Sequence, residues 1–343
     1  MENPNTLWVT MPIIRNIVLM AAERGASLDE LCRQSGLERA RLDDAGALVD
    51  LELNCRIMEV ALRLTGDSFL GLHIGETTSP VVLGMVGHLM ESSPDVQTAL
   101  QNLEQFVRTF TKLYDFYTEV RGLEFMLYCE PIPAWNSLSP ETAGMSVDLA
   151  FSGTLHIVKL LTGKRLYPVR MSLRYARPRD TGEYVRILKV EPSFSQPCNC
   201  IVFRLPDMQL PVIGNNPALN ALFRDLLEKE IAKTREHETM TNEVRRVLLQ
   251  NFHTAVPQQS DVTGRLNITP RTLQRKLKDE GTTFQQIVDS VKSELAIGLL
   301  KNRSLTVNEV AYKLGYAEPS VFRRAFKKWT GQNPKGYLAE TSR

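Results

Sequence analysis

The sequence predicts two folded parts. An α+β domain covers residues 1–237, with helices packed on a small antiparallel sheet, and an all-α domain covers residues 238–343, where a long helix joins two helix-turn-helix units. Three observations carry this. Apolar residues recur at helical spacing through the first part, then change to alternation near its middle. The last hundred residues contain an internal repeat. Charge is also divided: from Glu238 onward 17 Lys/Arg face 10 Asp/Glu, whereas 24 face 29 before it. A length of 343 residues fits two domains, and 43% hydrophobic with 23% charged residues is the composition of a globular chain. Disordered, collagen-like and disulfide-dense classes are thereby excluded.

The elements follow in order. Thr10-Met11-Pro12 opens a helix through Ile13, Ile14, Ile17, Val18 and Ala21 that stops at Gly25, with proline near the start and glycine past the end. Ser27-Leu-Asp-Glu30 has the form of a capping box. Helices are expected over 51–65, 80–91 and 94–110. The run from Phe116 to Cys129 reads as two strands meeting at Gly122, and 141–161 is helical again. Val169–Tyr175 alternates as a half-buried strand, and a further strand starts at Cys200. Ala218 to Lys233 carries Leu219, Leu222, Phe223, Leu226, Leu227 and Ile231 at helical spacing, a stripe that closes the first domain or pairs with a second subunit. The polar run at Arg235–Thr241 marks the boundary.

Beyond it, Val262-Thr263-x-x-Leu266-Asn267-Ile268-Thr269 aligns with Val310-Ala311-x-x-Leu314-Gly315-Tyr316-Ala317 at an offset of 48. Leu273-x-Arg275-x-Leu277-Lys278 aligns with Phe322-x-Arg324-x-Phe326-Lys327 at an offset of 49. Each copy reads as helix, tight turn, helix. Asn267 and Gly315 are turn residues that tolerate positive φ. Thr269-Pro270 supplies a cap and an N1 proline, and Glu318-Pro319 is expected to do the same. Between the copies, Phe284 to Lys301 places Phe284, Ile287, Val288, Val291, Leu295 and Leu299 on one face, with Asp289, Lys292, Ser293 and Glu294 outside. Eighteen helical residues span about 27 Å at about 1.5 Å each. That rod suits two helices set in successive major grooves about 34 Å apart.

Residues 240–340 resemble the DNA-binding domain of the AraC/XylS transcription regulators. The resemblance rests on Val310-Ala311, Leu314-Gly315-Tyr316, Ser320-x-Phe322-x-Arg324-Ala325-Phe326-Lys327 and Trp329-Thr330-Gly331-x-x-Pro334-x-x-Tyr337. The family usually has Arg after that tyrosine, where this chain has Leu338. Arg271-Thr-Leu-Gln-Arg-Lys-Leu-x-x-Glu280-Gly281-x-x-Phe284 resembles the branch containing ornithine-utilisation and similar regulators. Phe194-x-x-x-x-Asn199-x-Ile201-x-Phe203 and Asn216-Pro217-x-Leu219 are similar to that branch's arabinose-binding-like regulatory domain.

The resemblance implies a cytoplasmic regulator, often an activator, working as a homodimer with RNA polymerase on a double-stranded DNA operator. Its residues 1–237 would be the regulatory part, responding to a small-molecule effector of unknown identity or to dimerisation. It also implies that Arg271, Thr272, Gln274 and Arg275 face the groove from the first recognition helix, with Ser320, Arg323 and Arg324 on the second. Arg pairing with guanine and Gln with adenine are contacts such helices can make. Lys278, Lys327, Lys328 and Lys335 are assigned to phosphates or solvent.

The remaining motifs read as bland. Cys198-x-Cys200 lacks the second pair of a zinc site and reads as two buried strand cysteines. The five histidines show no ligand spacing, and Thr162-Gly163-Lys164 lacks the glycine of a phosphate loop. Asn267-Ile-Thr269 fits a glycosylation sequon but falls in the proposed turn. Met11, Met20, Met85, Met90 and Met145 read as core filling. The five cysteines fit reduced thiols, and neither a secretory leader nor a membrane span is expected. No cofactor, metal or enzymatic activity is expected. The rival readings are an enzyme or sensor in residues 1–235 carrying the DNA module as passenger, and a ligand-free architectural dimer.

Overall fold

The computed structural model describes residues 7–235, 239–251, 257–266, 268–301, 306–316 and 318–340. Its backbone divides into two compact units, Met1–Lys233 and Thr234–Arg343.

In chain order the first unit contains β1 (Trp8–Thr10), α1 (Met11–Glu23), α2 (Leu28–Ser35), β2 (Leu48–Asp50), α3 (Leu51–Thr65), α4 (Leu70–Gly75), α5 (Met85–Glu91) and α6 (Val96–Phe106). There follow β3 (Tyr114–Arg121), β4 (Glu124–Pro131), α7 (Pro133–Leu138), α8 (Pro140–Thr162), β5 (Arg170–Ser172), α9 (Gly182–Leu188), β6 (Cys200–Arg204) and α10 (Pro217–Arg235). Strands β3, β4, β6 and β5 form, in that order, an antiparallel sheet, and β1 pairs with β2 in a second, two-stranded one. The α+β architecture is therefore the one the sequence predicts.

Side chains alternate across the larger sheet. Phe116, Phe125, Leu127, Cys129, Ile201 and Phe203 join the main core with the helices. Tyr117, Met126, Tyr128, Cys200 and Val202 form a separate cluster on the other face, where Tyr117 and Tyr128 stack at 4.3 Å. Cys198 packs beside them only half-buried, just outside β6, so one of the two expected buried strand cysteines is neither. All five cysteines are free thiols. Met11, Met90 and Met145 fill the core, but Met85 is exposed.

Local chemistry explains where most helices begin. The Asp50 carboxylate accepts from the Leu53 N–H at 2.8 Å, and Asp95 does so from Thr98 at 2.8 Å. Ser27 caps α2 by accepting from Glu30, yet the box is only half formed. Glu30 spends its carboxylate on Arg33 and Gln34 instead of returning to the Ser27 N–H. The single helix expected over 80–91 is two pieces, a 3₁₀ turn over Pro80–Leu83 and then α5. Gly84 between them adopts φ +59° and ψ −134°, a conformation closed to residues with a Cβ. The strand expected over 169–175 is confined to β5: Arg170–Ser172 are in register with β6, and Val169 adds one N–H bond to the Val202 carbonyl at 2.8 Å.

Asp148 on α8 is buried, with the hydroxyl of Tyr184 donating to it at 2.9 Å and that of Tyr175 donating to its other oxygen. Among the described residues no Lys or Arg pairs with it. Burial pushes its carboxyl up to about 7, against the downward pull of the two phenols. Helix α10 buries Leu227 and packs Phe223 and Ile231 on the core, while Leu219, Leu222 and Leu226 stay 45%, 51% and 39% exposed.

The second unit is all helical: α11 (Met240–Asn251), α12 (Gln259–Arg265), α13 (Pro270–Asp279), α14 (Phe284–Lys301), α15 (Val307–Lys313), α16 (Pro319–Thr330) and α17 (Pro334–Glu340). One core runs through it, from Val244 and Leu248 through Leu273, Leu277 and Val291 to Phe322 and Phe326. Helix α14 has the expected bounds but is covered on more sides than one stripe requires, by α11, α15, α16 and α17. Ala296 and Leu300 are accordingly more deeply buried than Leu295 and Leu299. Lys292, expected outside, is half-buried with its ammonium 4.4 Å from the Tyr316 ring centroid, and burial holds that ammonium below the ordinary lysine range.

Candidate nucleic-acid interface

Helices α12 and α13 form the first helix-turn-helix, α15 and α16 the second. Gln258 and Asp261 close a capping box on α12, as Thr306 and Glu309 do on α15. In the first turn the Ile268 N–H donates to the Thr263 carbonyl at 3.1 Å. In the second the Tyr316 N–H donates to the Ala311 carbonyl at 3.0 Å. These are the same bond at the 48-residue offset read from the sequence. Gly315 adopts φ +79°, as its place in the turn requires. Its counterpart Asn267, and with it the sequon, lies outside the described residues, as does Ala317.

Each second helix starts on a proline. Thr269 caps α13 by accepting from the Thr272 N–H at 3.2 Å. Glu318 gives α16 no such bond, because its carboxylate takes the Ser320 hydroxyl at 3.1 Å. Leu273 and Leu277 are buried on α13, and Phe322 and Phe326 occupy the corresponding places on α16. With the i, i+4 rows turned inward, both helices present the rest of their circumference outward.

That outward surface is basic. Arg271, Gln274, Arg275, Lys276 and Lys278 are exposed on α13, and Arg323, Arg324, Lys327 and Lys328 on α16. Arg275 and Arg324 hold equivalent positions, each two residues after the first buried anchor. Among the described residues the side chains of Arg271, Gln274, Arg275, Lys278, Arg324, Lys327, Lys328 and Lys335 have no hydrogen-bond or ion-pair partner. Their donors are therefore available to an anionic or hydrogen-bonding ligand. The other three predicted residues are already engaged. Arg323 donates to Asn308 on α15 at 2.9 Å, Ser320 holds Glu318, and the Thr272 and Thr269 hydroxyls pair at 2.9 Å.

Several motif residues are structural. Glu280 accepts from the Met240 N–H at 2.5 Å, the Thr241 N–H at 2.8 Å and the Thr241 hydroxyl at 2.6 Å, so it caps α11 from 40 residues away. Gly331 ends α16 at φ +78°, Pro334 opens α17, and Tyr337 meets the Phe326 ring edge-on at 5.7 Å. Sequence reasoning passed over Lys276, whose exposed place on α13 follows from the same periodicity. It also passed over the Lys292–Tyr316 contact, for which no local signal exists. No group of three or more His, Cys, Asp or Glu among the described residues is placed to hold a metal ion, and none of their helices is long and apolar enough to cross a membrane.

Residues 25–212, more than half of the chain, match the family model of the arabinose-binding N-terminal domain of AraC transcription regulators. Residues 262–340 match a helix-turn-helix domain model. The ornithine utilization regulator of Pseudomonas aeruginosa is 29% identical over 327 residues, covering 93% of this chain and 92% of that protein. The HTH-type transcriptional regulator VqsM of the same organism is 28% identical over 281 residues, 77% of this chain and 81% of that one. The crystal structure of the transcriptional regulator CdpR from Pseudomonas aeruginosa aligns over 91% of this chain and 96% of its own, with 21% identity and a TM-score of 0.44. With a family model matched in each of its two units, the chain belongs to the AraC family of DNA-binding transcription regulators.

Proposed function

We propose that α13 and α16 enter two successive major grooves on one face of an operator. The observation that carries this is the equivalence of Arg275 and Arg324, exposed and unpartnered at matching places on two helices that α14 holds apart. Arg271, Thr272, Gln274 and Arg275 read bases in one half of the site, and Ser320, Arg323 and Arg324 in the other. Thr272, Ser320 and Arg323 release their present partners to do so. Lys278, Lys327 and Lys328 meet phosphates and set affinity without sequence preference.

Residues 1–237 act as the regulatory domain of a cytoplasmic homodimer that binds a small-molecule effector and works with RNA polymerase. The named relatives are regulators, which supports a chain with no catalytic activity of its own. The outward stripe of Leu219, Leu222 and Leu226 supports a second copy as its partner, because a row of leucines in water gains most by self-burial.

The test is binding to an operator, obtained by selection from random DNA, and to its single-base variants. Arg275→Ala is expected to cost about 1–3 kcal/mol and to relax one base position, with Arg324→Ala relaxing a position one helical turn away. Lys327→Ala weakens every sequence alike and lowers the salt slope by about 1. Uniform loss in both arginine variants, with no position relaxed, refutes direct base reading by this pair. Thermal shift of the full chain against a metabolite set tests the effector reading.

A further inference from the structure

We infer that a half-open cavity of the first unit, walled by α1, α6, α8 and β3, is the effector site and takes a small uncharged molecule with an apolar body and one hydrogen-bonding group. This rests on the effector reading above and names the ligand class for it. The cavity measures about 50 Å³ and none of its fourteen lining residues is charged. Ten are aliphatic, phenylalanine or glycine, and the polar four are Asn16, Thr78, Tyr114 and Thr154. Both threonine hydroxyls are spent on helix carbonyls, Thr78 on Ile74 at 2.9 Å and Thr154 on Ala150 at 2.8 Å. Asn16 makes one bond, its amide donating to Thr78 at 3.3 Å.

Tyr114 is the remaining polar group, and it is the one without a partner. It is 7% exposed, stacked on Trp135 at 6.0 Å and set edge-on to Phe116 at 5.4 Å, yet its hydroxyl bonds to nothing among the described residues. The hydroxyl keeps a little accessible surface, so a hydrogen-bonding group entering the cavity can reach it.

The lining also defines what the cavity refuses. An ammonium or carboxylate placed here would be desolvated with no counter-charge, which excludes free amino acids. A sugar would bring several hydroxyls to a wall whose free donors are the Tyr114 hydroxyl and one Asn16 N–H. Size adds a condition: an apolar cavity of about 150 Å³ holds benzene, and this one is smaller. The site must therefore widen on binding. The 3₁₀ turn over Pro80–Leu83 supplies Val82 and Leu83 to the wall.

The experiment is thermal unfolding and calorimetric titration of the full chain with phenol and benzene, beside L-ornithine and L-arabinose. Phenol and benzene are expected to raise the melting temperature with dose, and the polar pair to leave it unchanged. Gly153→Ala sets a methyl in the cavity with its nearest neighbours, on Thr78 and Gly75, at 3.7–3.8 Å, so the variant folds and loses the response to both aromatics. Tyr114→Phe weakens phenol about tenfold and leaves benzene as it was. A phenol response that survives Gly153→Ala overturns the site. Binding of L-ornithine or L-arabinose without phenol overturns the ligand class and leaves the effector reading standing. Silence of phenol and benzene together overturns the inference, and the metabolite set then decides the effector reading separately.

Discussion

Replacing Asp148 with asparagine removes a proton-linked penalty from the first unit. The carboxyl lies on α8 among apolar neighbours, bonded only by two phenols, and burial raises it from the ordinary value of 3.8 to about 7. In the unfolded chain it returns to the ordinary value. Between about pH 4 and 7 the folded state holds this proton and the unfolded state does not, so stability falls as pH rises through that window. The rise from 3.8 to about 7, at about 1.4 kcal/mol for each pH unit, amounts to about 4 kcal/mol, fully lost above about pH 7. The Asp148→Asn variant still accepts from one tyrosine and can donate to the other, without any charge to bury. Its stability relative to the parent should therefore improve by about 4 kcal/mol between about pH 4 and pH 8. The measurement is urea unfolding followed by Trp135 fluorescence, with Trp8 and Trp329 replaced by Phe in both proteins. Other titrating groups are common to the pair and cancel in the difference. Parallel stability curves across that range would refute the reasoning, because an ionised Asp148 would then cost nothing.

Further outcomes follow from the two units. Leu222→Lys places a charge in the middle of the exposed stripe on α10, at a half-exposed position outside the core, so the fold is retained while self-association weakens. Sedimentation of the full chain at micromolar concentration is expected to show a dimer for the parent and a larger monomer fraction for the variant; a monomeric parent sinks the dimer reading. Glu280→Ala strips the cap from α11 and leaves two backbone N–H groups to water, at a cost of about 1–2 kcal/mol. Urea unfolding followed through Trp329 reads that loss, and DNA affinity should fall only as far as folding does.

The doubled helix-turn-helix was legible because its signals are local. Pro270, Pro319 and the capping Thr269 act within one turn of the chain, and each copy repeats the same buried anchors four residues apart, although the cap expected from Glu318 does not form. The strand pair around Gly122 was legible for the same reason. The helix break at Gly84 was not, since glycine is tolerated inside helices and only its positive φ separates the 3₁₀ turn from α5. Lys292 misled because a charged residue between apolar ones reads as solvent-facing, whereas an aromatic ring 24 residues later receives it.

The sequence by itself determined the two-part architecture, the bounds of α3 and α14, the repeat and all the exposed basic residues on its second helices but Lys276. Periodicity, caps and charge all act between near neighbours, so one chain read in order contains them. Tertiary structure alone decided the order β3-β4-β6-β5, the pairing of Glu280 with the start of α11, and which recognition residues stand free and which are tied. It also brought Tyr114 to the wall of a cavity with residues from four other segments, and left Asp148 without a counter-ion. Such contacts join residues tens of positions apart. Their energies depend on what else is excluded from the same space, and that is a property of the packed core.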